Sequence, residues 1–434
     1  MLLPYAVEIN MFHEVTLKNF RTHQLTTVNL SPITLLIGNN NSGKTNLLAG
    51  IQHFCGLVRR GRPDRQSRNQ TVIAAKDLYP HRYRLAKDDE SIKFDITWSN
   101  AGGKAKYSME LFKDESLTQK AGCRERIEFQ LNSSEPKIIE SGYSHPSASI
   151  QLRKQIESER SLNNKEQELC RTFFGDFANT FSYHFQPAFL KGLFNPSQDN
   201  EEDYSESGLE TEDTQTQNKI RIPSELGDTG RNLQKIIQYI KENDERTFTR
   251  FTALMRRFEQ SFQGVRYDSG RSRLVWEFDL GRKGIVEEFP AAVLSDGFMK
   301  AAAISLLASL RRPPTLILLE EIENGINPGN IQELMRWIWQ MTSPSSEGYS
   351  SQFIITSHSP SVLREFHDRL DCVYTVRLDK RSRRSDVRNL NISLDTLVGI
   401  GTVEGEIIER EDGKRVVELP KYQLAELWYS GTIG

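Results

Sequence analysis

The stretch from Leu35 to Asn46 constrains this chain more than any other. Ile33 to Ile37 form a continuous apolar run, the mark of a buried strand. Gly38, Asn39, Asn40, Asn41, Ser42, Gly43, Lys44 and Thr45 then match G-x-x-x-x-G-K-[ST] at every fixed position. Two glycines let the backbone bend so tightly that successive N–H groups point at one anion. A helix starting near Lys44 adds its positive end, and Asn46, Leu47, Leu48 and Ile51 carry that helix forward. Lys44 has the reach for β- and γ-phosphates, and Thr45 has a hydroxyl for Mg²⁺. Strand, loop and helix signals coincide, which a chance Gly/Asn turn does not produce. A nucleoside triphosphate and Mg²⁺ are the expected ligands, and the loop by itself says no more than that.

Composition narrows the setting. At 434 residues the chain is long enough for two or three domains. An apolar share of 37% and a charged share of 26% suit a soluble globular protein. The formal net charge of −2 leaves nucleic-acid binding to a local patch rather than to bulk attraction. Cys55, Cys123, Cys170 and Cys372 stand far apart with no C-x-x-C pair, so neither a zinc site nor a disulfide scaffold is expected. No apolar run approaches the roughly 18 residues of a membrane span, and no secretory leader pattern opens the chain. A cytoplasmic location without membrane contact is the expectation.

Along the chain, residues 12–30 alternate strand-like runs with turns and read as a hairpin feeding the Ile33–Ile37 strand. Arg59, Arg60, Arg62, Arg65 and Arg68 stand against one acid, Asp64, with Gly61 and Pro63 between them. This is a basic loop, either solvated or set against a phosphate backbone. Ile92–Trp98 and Ala105–Phe112 alternate around Ala101-Gly102-Gly103 and form a hairpin. Ile127–Leu131 is a third strand, and residues 150–172 are helical in pattern. Phe181–Phe185 is strand-like and ends at Gln186-Pro187. Residues 196–218 are acidic and polar, the composition of a disordered loop. Helices follow over about 230–240 and 245–262, then a strand at Leu274–Leu280. Expected boundaries are 1–58 for an N-terminal half-core, 59–150 for an antiparallel β lobe and basic loop, and 151–290 for a helical insertion. A C-terminal half-core takes 291–380 and a tail takes 381–434.

The later motifs carry the remaining chemistry. Thr315–Leu319 is a buried strand ending in Glu320 and Glu321. One carboxylate at such an end can serve the metal and the next can orient water; both can equally cap the following helix. His358 follows the strand Phe353–Thr356 and is either a γ-phosphate contact or a structural histidine. Leu294-Ser295-Asp296-Gly297 opens a helix over about 298–310 and reads as an N-cap or as a nucleotide contact.

Taken in order, the phosphate loop, Leu294–Gly297, Glu320-Glu321 and Ser357-His358 resemble an ABC-type ATPase head. The branch is the one that includes RecF, the SMC heads and the overcoming-lysogenization-defect ATPases. Asn19-Phe20-Arg21, the phosphate loop and Glu320–Pro328 look most like the stand-alone ATPases of bacterial phage-defence loci. The resemblance covers residues 12–58 and 225–380 well and the middle loosely. It implies an α/β P-loop NTPase of ABC-ATPase type, with a mixed central sheet, an antiparallel β lobe and a helical insertion. It further implies a head-to-tail homodimer or higher oligomer sandwiching ATP, with Ser295 and Gly297 of one subunit facing the loop of the other. Glu320 becomes the Mg²⁺-side acid, Glu321 the catalytic base and His358 the γ-phosphate sensor. Arg21 joins the nucleotide contacts, and Gln186 takes the place of the Mg²⁺- and water-sensing glutamine. This sequence departs from most such heads at Glu320 (Asp), Ile322 (Pro) and Asp296 (Gly or Ser).

The expected function is a slow ATP-driven switch that controls a separate effector protein in anti-phage defence. A RecF-like repair ATPase bound to DNA is the alternative. A self-contained nuclease is disfavoured, because about 76 residues follow His358, too few for a further domain of about 100 residues. No coiled-coil arm is present in the sequence.

Overall fold

The computed structural model describes residues 10–60, 78–87, 89–113, 121–132, 134–143, 148–193, 226–271, 273–281, 285–345, 347–410 and 413–433. Two compact units result. One comprises Met1–Ser182, Pro314–Ile322 and Thr342–Gly434; the other comprises Tyr183–Pro313 and Glu323–Met341. The acidic stretch 196–218 and basic positions 61–68 lie outside the described residues. Arg59 does not belong to a loop: it sits in the last turn of the helix Lys44–Arg60.

The early strands are β1 (Met11–Phe20), β2 (His23–Asn29), β3 (Ile33–Ile37), β4 (Ile92–Asn100), β5 (Gly103–Lys113), β6 (Ala121–Leu131), β7 (Lys137–Tyr143) and β8 (Thr180–Tyr183). A middle group holds β9 (Phe262–Asp268), β10 (Arg273–Asp279) and β11 (Val286–Pro290). The late strands are β12 (Leu316–Leu319), β13 (Gln352–Ser357), β14 (Val373–Asp379), β15 (Arg384–Asn389), β16 (Glu406–Glu409) and β17 (Arg415–Glu418).

In the first unit, β3 lies between β14 and β13 and is parallel to both, in a sheet ordered β15-β14-β3-β13-β12-β8. Every residue of β3, β12 and β13 is buried, as expected of parallel strands covered on both faces. The second sheet is antiparallel, ordered β2-β1-β4-β5-β6-β7. Its strands alternate: β4 buries Ile92, Phe94, Ile96 and Trp98 and turns the residues between them outward. The hairpin β1–β2, expected with the core half, thus joins the antiparallel lobe. Helices Lys44–Arg60, Ala148–Ser158 and Asn164–Ala178 pack on this lobe. The helical pattern at 150–172 is therefore two helices. The second starts at a capping box, Asn163 with Glu166. Phe54 and Phe94 stack at 4.7 Å and Phe94 meets Phe177 at 5.6 Å. Truncating either Phe94 or Phe177 to Ala removes about 3–5 kcal/mol. The buried Gln352 side chain joins the sheets, accepting from Phe12 N at 3.0 Å and donating to Phe12 O at 2.8 Å.

In the second unit, β11-β10-β9 is a small antiparallel sheet. Helices Leu233–Asn243, Glu245–Phe258, Asp296–Ser309 and Ile331–Met341 accompany it. Phe262, Trp276 and Phe298 meet one another within 6.0 Å at its core. The stretch expected to be a helical insertion therefore also contains a sheet. All four cysteines are buried and unbridged, and no helix among the described residues is long and apolar enough to cross a membrane.

A buried carboxyl group breaks the apolar pattern of the lobe. Glu125 lies on β6 between Cys123 and Ile127 and is only 2% exposed. Tyr107 Oη donates to its Oε1 at 2.6 Å. Burial pushes the Glu125 carboxyl up to about 8, against the opposing pull of that hydrogen bond. The folded lobe thus keeps a proton that the unfolded chain releases near its ordinary value of 4.5. Stability from this group is complete below about pH 4.5 and is lost as pH rises toward about 8. Glu125→Gln keeps an acceptor for Tyr107 and removes the titration. Denaturation midpoints measured across this range should fall with pH more steeply in the wild type than in Glu125→Gln.

Candidate functional site

Strand register assembles the site. Ile37 pairs with Ser357, Leu36 with Thr356, and Leu319 with Ile355. Three parallel strands therefore end together, and Gly38, Glu320-Glu321 and His358 leave from the same edge. Ligands of open α/β sheets bind at this carboxyl edge.

The loop itself is tightly enclosed. Gly38 has φ +150° and Gly43 φ +109°. A Cβ on Gly38 would come 2.1 Å from Val376 O of β14, and one on Gly43 would come 2.0 Å from Ser385 Oγ of β15. Both glycines are thus demanded twice, by conformation and by space. Asn41 also takes a left-handed conformation, φ 62°. Lys44 Nζ donates to Gly38 O at 2.8 Å and to Asn39 O at 3.0 Å, so the ammonium is curled over the loop. Across the edge, Thr45 Oγ1 donates to Glu320 Oε2 at 3.2 Å. Neighbouring oxygens in an octahedral Mg²⁺ shell stand about 3 Å apart, given bonds of about 2.1 Å. A hydroxyl and a carboxylate at this separation suit that ion, and the anion-binding loop suits a triphosphate.

Behind the loop runs a hydrogen-bond chain absent from the sequence expectations. Arg21 Nη1 donates to Asn46 Oδ1 at 3.3 Å, and Asn46 Nδ2 donates to Thr22 Oγ1 at 3.0 Å. Ser385 Oγ lies 2.7 Å from both Thr22 Oγ1 and Ser42 O. A carbonyl only accepts, so Ser385 donates to Ser42 and accepts from Thr22. Next to this chain, the His23 ring is fully buried and sits between Gly43 O, 3.0 Å from Nε2, and Thr26 Oγ1, 2.9 Å from Nδ1. Burial pushes His23 down to about 4. The neutral ring must then carry its proton on Nε2, toward the Gly43 carbonyl, and accept from Thr26. Arg21 sits at the two-residue turn between β1 and β2, with φ 48°. Burial lowers its pKa and the nearby Glu320 charge raises it.

Glu321 has φ 46°, a left-handed backbone rare for a residue with a side chain. Its N–H donates to Thr356 Oγ1 at 3.0 Å, and Ile322 N–H to Thr356 O at 3.4 Å. Thr356 therefore holds the turn that aims Glu321. The signal for it in the sequence was slight, a hydroxyl in an otherwise apolar strand. His358 is half-buried just beyond the same strand.

Ser295, Gly297 and Gln186 lie in the second unit. Ser295 is exposed, and its Oγ caps the helix Asp296–Ser309 by accepting from Phe298 N at 3.1 Å. Gly297 is pressed against the Gly325 carbonyl, which a Cβ would meet at 2.3 Å. Gln186 is exposed and precedes the single turn Pro187–Leu190, with no side-chain cap. Arg59, a candidate backbone contact, is engaged internally: its Nε donates to Ala178 O at 3.0 Å and its guanidinium lies 4.3 Å over the Phe181 ring.

Gly43→Ala adds both a strained φ and a clash with Ser385. We expect the variant to lose nucleoside-triphosphate binding by about 100-fold or more while keeping the far-ultraviolet spectrum of the fold. Equilibrium titration with a fluorescent ATP analogue measures it.

Among curated proteins, an ATP/GTP phosphatase of Helicobacter pylori is 21% identical over 373 residues, covering 84% of this chain and 88% of the relative. Among solved structures, an SMC head domain of Thermotoga maritima matches with TM-score 0.37 and 13% identity, over 87% of this chain and 98% of that one. An Smc head domain from Pyrococcus furiosus, bound to the C-terminal domain of ScpA, matches with TM-score 0.42 and 11% identity, over 90% and 100%. Residues 33–364, from β3 to just past His358, match the family model described as "AAA domain, putative AbiEii toxin, Type IV TA system", and the chain belongs to that family.

Proposed function

We propose that this protein binds and hydrolyses Mg-ATP and works as a switch for a separate effector, in bacterial defence against phage. The observation that carries the reading is the convergence of Gly38–Thr45, Glu320 and Glu321 on one edge of a parallel sheet, with Thr45 and Glu320 in hydrogen-bond contact. The family's description and the relative's name support nucleotide hydrolysis and a toxin–antitoxin or defence setting.

In this reading the loop N–H groups and the helix N-terminus hold the phosphates. Lys44 leaves the Gly38 and Asn39 carbonyls for the β- and γ-phosphate oxygens. Thr45 and Glu320 would hold Mg²⁺, which would neutralise phosphate charge when bound. Glu321 accepts a proton from the attacking water; His358 meets the γ-phosphate. Arg21 and Asn46 steady the loop from behind. Such chemistry needs placement and charge neutralisation more than covalent help. Ser295, exposed at the helix start, and Gly297 behind it complete the site across a head-to-tail dimer, facing the partner's nucleotide.

Glu321→Gln should retain ATP binding and lose about 10²–10⁴-fold in turnover, the usual worth of a general base. Lys44→Ala should lose binding. Light scattering of Glu321→Gln, co-expressed with its genomic neighbours, should show a dimer that forms with Mg-ATP and carries a second polypeptide. A monomer with and without nucleotide would remove the roles given to Ser295 and Gly297.

A further inference from the structure

The β14–β15 hairpin has two faces with different tasks. Strand alternation puts Ser385 and Val387 on one side and Arg384, Asp386 and Arg388 on the other. Ser385 is buried against the phosphate loop, 2.7 Å from Ser42 O, while its N–H donates to Thr22 O at 2.8 Å. The outward side and the tip are basic. Arg377, Lys380, Arg381, Arg383, Arg384 and Arg388 are all exposed, against two carboxylates, Asp379 and Asp386. In a chain whose net charge is −2, this is a concentrated positive patch.

The patch is also ordered. Asp379 Oδ1 accepts from Arg381 N at 2.8 Å and from Ser382 N at 3.4 Å, which shapes the tip. Tyr83 Oη donates to Ser382 O at 2.7 Å and ties the tip down. Asp386 pairs with Arg388 at 2.8 Å; Asp379 is turned into the tip backbone. Arg384 and Arg388 lie about 13 Å apart along the strand, at about 3.3 Å per residue. A duplex major groove is about 12 Å wide and admits a two-stranded ribbon. Residues 377–388 contain no aromatic side chain, so the stacking platform that a single strand needs is missing here.

We propose that the outer face and tip of the β14–β15 hairpin form a docking surface for the phosphate backbone of duplex DNA, coupled to the phosphate loop through Ser385. The coupling rests on the reading of the loop as an ATP site; the docking surface does not. Where two ligands on opposite faces of one hairpin influence each other's affinity, the effects are equal and reciprocal.

The test uses the full chain carrying Glu321→Gln, to prevent turnover. Anisotropy of a fluorescein-labelled DNA duplex gives its affinity across a salt series. The parent protein should bind with a steep salt dependence. Adding Lys380→Glu, Arg381→Glu and Arg384→Glu should weaken binding at least about tenfold and reduce the salt slope by about three. This variant should still bind the fluorescent ATP analogue, which shows that it is folded. Saturating duplex should shift the analogue's affinity about fivefold or more in the parent protein. Ser385→Ala should keep duplex binding and lose that shift. Absent duplex binding, duplex binding that the charge reversals leave intact, or tighter binding to single strands overturns the surface. An ATP affinity that duplex does not move overturns the coupling. A parent protein that binds duplex but no ATP overturns the nucleotide reading and leaves the surface standing.

Discussion

The closeness of two glycines to neighbouring strands is the contact on which the first unit depends. Gly38 lies where any Cβ would strike the Val376 carbonyl, and Gly43 where it would strike the Ser385 hydroxyl. The phosphate loop is thus a moulded part of the sheet. Its back is closed by β14, β15 and the β1–β2 turn. Every hydrogen bond in the Arg21–Asn46–Thr22–Ser385–Ser42 chain serves this closure. Pairing matters most at Ser42 and Ser385, which are buried, where a missing partner costs about 1–3 kcal/mol.

Register does the rest. β12, β13 and β3 are parallel and end together, so three segments distant in sequence deliver their polar residues to one edge. The apolar strands supply no chemistry, yet they decide where it is placed. Glu321 shows the same division. Its carboxylate is the proposed base, but its left-handed backbone is kept by Thr356 on the neighbouring strand. A strained backbone persists only where its surroundings over-determine it. Here the constraint is an N–H bonded to a hydroxyl one strand away.

Much of this was legible in the residues. Ile33–Ile37, the loop and the helix after it were readable because strand, turn and helix codes are local and adjoin. The Ile92–Phe112 hairpin was readable from its alternation around Gly102-Gly103. Other elements were hidden. Lys137–Tyr143 and Glu406–Glu409 carry too few apolar residues to stand out, and they become strands because a partner edge is waiting. Arg59 belonged by composition to a basic loop, yet its guanidinium is used to hold Ala178 and Phe181. Charge in a sequence does not tell whether a neighbour has taken it.

The sequence by itself determined the phosphate loop, the buried strands beside it, the acids at the end of Thr315–Leu319 and the order in which they come. These follow from short-range sterics and from hydrophobic periodicity, which any window of the chain contains. Only the tertiary structure decided that Thr45 meets Glu320, that Thr22 and Ser385 brace the loop, that His23 is neutral, and that Glu125 is buried with its proton. Those depend on residues separated by tens to hundreds of positions, brought together by sheet order and register. A hydroxyl, a carboxyl or an imidazole has no fixed role until its neighbours and its access to water are set.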